Sequence, residues 1–173
     1  VTIDYPIGIG LTLVGGYAAQ TAALSPAVAV VAALFVGLLS GIKVGIDRLD
    51  LSFDRSIDKR TLPVVLGAAG ASRVAIAIFA VTALATVAAG ALAATPAFFP
   101  IPGTFALRPA FAVAAALAPL GSLLATTTAV SPERTVRIQM ALTYVFAALL
   151  FLSACDDRSV GAVLGAAAIE AAR

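Results

Sequence analysis

The chain has 173 residues, 61% of them hydrophobic and only 12% charged, with a mean hydropathy of +1.07, whereas soluble domains run at about 25% charged. A formal net charge of +2 is too small to suggest nucleic acid as a partner. With Cys155 as the single cysteine and no histidine, a disulfide framework, the usual zinc sites and Ser-His triads are excluded.

Charged residues are missing in long blocks, from Tyr5 to Ile42, Val74 to Leu107, Pro109 to Pro132 and Ile138 to Cys155. Each block holds at least one membrane span, since a crossing takes roughly 20 apolar residues. The first block lacks a preceding basic segment and is followed by others, so it does not read as a secretory signal. Cutting it at Ser25-Pro26 predicts spans at about 6–24 and 27–46, and the remaining blocks predict spans at about 73–95, 109–130 and 136–154. Pro96, Pro100, Pro102 and Gly103 mark a surface turn after the third span, and Asp156, Asp157 and Arg158 close the fifth. The expectation is an all-α integral membrane bundle forming one domain over residues 1–173, with a loop at 47–72. Val1 in place of Met raises the further expectation that the chain is part of a longer one.

Basic residues set the sidedness. Lys43, Arg48, Arg55, Lys59, Arg60 and Arg73 surround the second connection and Arg134 and Arg137 fill the fourth, against Arg108, Arg158 and Arg173 on the other side. The positive-inside rule makes the second and fourth connections cytoplasmic in a multi-pass protein of the cell membrane, with the N-terminus inside. Ala29, Ala33, Gly37, Gly41 and Gly45 recur every four residues and predict a helix packing face.

The charge concentrates in "GIDRLDLSFDRSIDKRTLPVVLG", residues 45–67. On a continuous helix Asp47, Asp50, Asp54 and Asp58 share one stripe with Lys43, beside an apolar stripe of Ile46, Leu49, Phe53 and Ile57, while Arg48, Arg55 and Lys59 point away. Two readings fit. The acids balance nearby basic residues at a solvated helix end, or they form a magnesium and diphosphate site, since Mg²⁺ favours one or two carboxylates together with phosphate oxygens. Thr61 before Leu62-Pro63 predicts an N-cap, Cys155 reads as inert, and Arg134 and Arg137 as anchors of sidedness.

The same stretch resembles the second aspartate-rich motif of the UbiA superfamily of membrane-embedded prenyltransferases, D-x-x-D-x-x-x-D followed by a basic stretch and T-L-P-x-x-L-G. Asp47, Asp50, Asp54, Thr61, Leu62, Pro63, Leu66 and Gly67 fall on that pattern. In that family the motif lies on the cytoplasmic side between the sixth and seventh of nine helices, so the resemblance implies that the five spans are equivalent to the last five. It further implies Mg²⁺-dependent transfer of a prenyl group from a polyprenyl diphosphate to a lipophilic acceptor. Mg²⁺ would be held by Asp50 and Asp54, the catalytic pair, with Asp47 in support, and Lys59, Arg60 and Lys43 would hold the diphosphate. The prenyl tail would lie among the apolar helices in membrane lipid, with Tyr17 and Tyr144 as candidate lining residues.

The chain departs from the family at two positions and in one missing motif. Asp58 stands where Gly is frequent, Ile46 stands where a basic residue often precedes the first Asp, and the family's first motif, N-D-x-x-D-x-x-x-D, is absent. Outside the cluster the acids are Asp4, Glu133, Asp156, Asp157 and Glu170. The chain alone is therefore expected to be inactive until the missing N-terminal half of the fold is supplied. A non-catalytic membrane protein or degenerate paralogue is the alternative.

Overall fold

A computed structural model describes residues 4–22, 26–93, 109–128 and 130–154. All regular structure among them is α-helical: α1 (Asp4–Thr21), α2 (Pro26–Leu49), α3 (Leu51–Ser56), α4 (Leu62–Ala93), α5 (Pro109–Ala115), α6 (Leu117–Thr127) and α7 (Pro132–Ala154). The turn expected at Pro96–Gly103 and the closing Asp156, Asp157 and Arg158, with Cys155, lie outside the described residues.

Helix α2 organises the bundle, packing against α1, α4 and α7, while α4 also meets α5 and α6. Leu34, Leu38, Ile42 and Val44 of α2 form the core with Ala71, Ala75 and Phe79 of α4, Ala115 of α5, Ala118 of α6, and Phe146 and Leu150 of α7. Small residues set how closely the axes approach. A methyl group on Gly41 would come within 2.5 Å of the Phe79 ring, one on Gly37 within 2.5 Å of the Thr82 hydroxyl, and one on Gly45 within 3.3 Å of Gln139. The expected small-residue face is thus divided between α4 and α7. Its first members, Ala29 and Ala33, are exposed.

Among the described residues two helices are long and apolar enough to cross a membrane, Pro26–Leu49 and Leu62–Leu92, at 24 and 31 residues; the first measures about 36 Å and the second, from its break at Gly67 onward, about 38 Å. The region expected as the fourth span is divided at Ala116, whose N–H turns to the Val113 carbonyl at 3.0 Å. Pro119, which has no N–H to continue the ladder, sits in the following turn. Bulky apolar side chains such as Leu11, Val81, Leu84 and Leu124 face outward, whereas Ser40, Thr82, Thr86, Ser122 and Gln139 are buried. Ser40 and Thr86 return their hydroxyls to carbonyls one turn back, at 2.6 and 2.7 Å, so these two hydroxyls cost little inside the bundle.

The stretch 47–72 is mostly helical rather than a loop. Residues 47–49 complete α2, α3 follows after a turn at Asp50, and α4 starts at Leu62, eleven residues before the expected span. Pro63 is tolerated because the first helical turn needs no N–H from it. At Gly67 the backbone takes φ 72° and ψ 167°, breaking α4 into a short first piece and a long second one. That conformation is open essentially to glycine alone, which accounts for the Gly that ends L-P-x-x-L-G.

Candidate functional site

The end of α2, the short α3 and the start of α4 bring the acidic cluster to one end of the bundle. The start of α7 lies at the same end, because Gly45 faces Val136 and Gln139. Asp47, in the last turn of α2, is fully buried and pairs with Lys43 one turn earlier, as their shared stripe predicts. Its second oxygen, Oδ2, is buried and has no hydrogen-bond donor.

Asp54 is equally buried, at 1% exposure. Its Oδ1 accepts from the Lys59 ammonium at 3.1 Å and its Oδ2 from the Thr61 hydroxyl at 3.2 Å. This corrects the expectation that Lys59 points away from the acids. The reason is the backbone beyond α3. Asp58 adopts a left-handed φ of 53°, the Lys59 N–H reaches back to the Asp54 carbonyl at 2.9 Å, and the Asp58 N–H reaches that of Arg55 at 3.4 Å. Those two bonds are a Schellman turn, and it reverses the chain so that Lys59 lies over the helix it has just left. Glycine at position 58 would take that φ without strain.

Thr61 precedes the first residue of α4 and its carbonyl accepts the Val65 N–H at 3.0 Å, which makes it the N-cap by position. Its hydroxyl, however, serves Asp54 rather than the helix. Thr61 and Pro63 are both buried, so the T-L-P segment acts as a strut beneath Asp54.

The hydrogen bond with Asp54 raises the Lys59 pKa from its ordinary 10.5; loss of hydration opposes the rise, and the charges of Asp54, Asp47 and Asp50 add to it. All three acids therefore act on one ammonium. Asp50 sits exposed at the break between α2 and α3, and Asp58, Arg55 and Arg60 are exposed as well. The four aspartates do not form one stripe, because the helix is interrupted at Asp50 and ends before Asp58.

Alongside the acids a cavity of about 380 Å³ runs between α1, α2 and α7. Its walls are Tyr5 and Ile9, then Phe35, Leu39, Ile42 and Ile46, then Met140, Thr143 and Tyr144, with Lys43 as the one charged lining residue. Tyr144 lines it as expected. Tyr17 does not, and Tyr5 takes that part because α1 runs antiparallel to α2, which sets its first turn level with Lys43. No local signal in the sequence separates the two tyrosines; only the register of α1 on α2 does.

Among the described residues no three acidic, His or Cys side chains come together as a metal-binding group. Asp47 nevertheless offers a buried, unpartnered carboxylate oxygen, a hard donor suited to Mg²⁺. Asp54, the other buried acid, has both oxygens taken by Lys59 and Thr61, and Asp50 is exposed, so Asp47 supplies the open buried donor of the cluster. Comparison with protein-family models, with curated proteins and with solved structures finds no match to the chain.

Proposed function

We propose that this chain supplies the diphosphate-binding half of a UbiA-type membrane prenyltransferase, transferring a prenyl group from a polyprenyl diphosphate to a lipophilic acceptor. The observation that carries the proposal is a juxtaposition: an apolar cavity of about 380 Å³ has Lys43 as its one charged lining residue, and Lys43 is paired to the buried Asp47. An apolar chain with an anionic head matches both parts. In this reading α1, α2, α4, the α5–α6 pair and α7 cross the cell membrane. The end carrying Asp47 and Asp54 faces the cytoplasm, and outward bulky apolar side chains around a small-residue and polar interior suit lipid.

Lys43, Lys59 and Arg60 would hold the diphosphate oxygens electrostatically. Asp47, Asp54 and Asp50 would hold Mg²⁺, which neutralises the diphosphate and makes it a better leaving group. The apolar walls would line the allylic carbon, and the rings of Tyr5 and Tyr144 would stand beside it to favour developing positive charge. A second acidic motif from the missing half of the fold would complete the site.

A non-catalytic relative is the second reading, and one observation favours it: both buried aspartates already have lysine counterions. Mg²⁺-dependent diphosphate release from geranyl diphosphate, in liposomes and with the missing motif supplied on an upstream extension, separates the two. Asp47→Asn and Asp54→Asn are each expected to lower turnover by about 100-fold or more, as lost transition-state electrostatics of roughly 3 kcal/mol would do, while Asp58→Asn stays near wild type. Equal, near-wild-type rates for all three would remove the metal site, and no release from the completed protein would favour the non-catalytic reading.

A further inference from the structure

We infer that Phe35 closes the deep end of the cavity and limits its ligand to a single apolar chain of about ten carbons behind a phosphate-class head at Lys43. The inference rests on the functional reading above for the head group and goes beyond it in fixing the length of the tail.

Three helices agree on where the cavity ends. On α2 the lining runs from Ile46 through Lys43 and Leu39 to Phe35, and the eight residues from Lys43 to Phe35 rise about 12 Å. On α1 the deepest lining residue is Ile9, and its neighbour Gly10 lies against Val36, so Ile9 is level with Phe35. On α7 the lining stops at Tyr144. Two residues further on, Phe146 is completely buried and meets the Phe35 ring edge-on, with centroids 5.1 Å apart and planes at 76°. That T-shaped pair gives Phe35 a fixed backing, so the ring acts as a floor rather than a movable flap. An extended hydrocarbon with tetrahedral angles and bonds of about 1.5 Å advances roughly 1.25 Å per bond, so ten carbons fill about 12 Å. A cavity of about 380 Å³ is near the small end of ligand sites, which suits one chain rather than the two of a phospholipid.

The test is displacement of radiolabelled decyl phosphate from the full chain in phosphatidylcholine nanodiscs by n-alkyl phosphates of six to sixteen carbons, with partition into protein-free discs subtracted. Referred to each ligand's own partition into protein-free discs, affinity should hold up to about ten carbons and fall beyond, because a longer tail cannot seat behind the head group. Phe35→Ala should carry the plateau several carbons further. Leu39→Phe, one turn closer to Lys43, should bring the break down to about five carbons, since four residues span about 6 Å; it also carries the test should the smaller side chain at position 35 prevent folding. Affinity that holds unbroken past ten carbons, or a break that neither substitution moves, would overturn the inference. So would two-chain phosphatidic acid competing as well as decyl phosphate, which would assign the cavity to bilayer lipid. The floor and the reaction fail separately: a movable break without Mg²⁺-dependent diphosphate release in the completed protein leaves the floor standing and removes prenyl transfer.

Discussion

Replacing Thr61 by Val tests the strut beneath Asp54 directly. The two side chains have nearly the same shape, so the change deletes one hydroxyl without opening a cavity. That hydroxyl is the donor to Asp54 Oδ2, and both residues are 1% exposed, so water cannot replace it. A hydrogen bond to a charged group contributes about 1.5–3 kcal/mol, and stranding a buried acceptor costs a similar amount. The 3.2 Å separation is long for a hydroxyl on a carboxylate, which argues for the lower half of the range, about 2 kcal/mol or a roughly 30-fold shift in the unfolding constant. Reversible unfolding of the chain from mixed micelles by increasing SDS measures it, and Thr61→Ser should stay near wild type. Thr61→Asp sharpens the test. Aspartate is a good N-cap, so a capping role predicts little loss, whereas a second carboxylate facing Asp54 should cost more than Val does. Val within about 0.5 kcal/mol of wild type, or Asp at least as stable as wild type, would refute the strut.

Asp58→Gly should raise stability by up to about 1 kcal/mol in the same assay, because φ of 53° strains any residue with a Cβ; Asp58→Val should lower it. Gly41→Ala pushes a methyl group into the buried Phe79 ring and should cost about 1–3 kcal/mol, while Gly8→Ala, with nothing within 4 Å, should be neutral or slightly favourable. Because the folded-state pKa of Lys59 is raised above 10.5, its contribution is complete below that pH and is lost as pH rises through the folded value. Stability followed above pH 10 should fall more steeply in wild type than in Lys59→Met.

Periodicity and spacing alone determined the helical class and the shared stripe of Lys43 and Asp47, which the structure fills with an ion pair. The pair is local: an i,i+4 pair lies on one helix face wherever the helix goes. The left-handed backbone at Gly67 came from the structure. The register of α1 on α2, which places Tyr5 rather than Tyr17 beside Lys43, was not legible, because an apolar helix with glycines along it offers many near-equal ways to dock. Nor was the fate of the four aspartates. Helical spacing treats Asp47, Asp50, Asp54 and Asp58 alike, yet two are buried and two exposed. That division comes from a turn at Asp50 and a Schellman reversal at Asp58, which together fold α3 under the start of α4. Burying Asp54 is tolerable only once Lys59 and Thr61 arrive from beyond the reversal to satisfy both its oxygens. Those partners are five and seven residues away along the chain, outside the reach of any single helical face, so only the tertiary structure decided which carboxylates are buried and which face water.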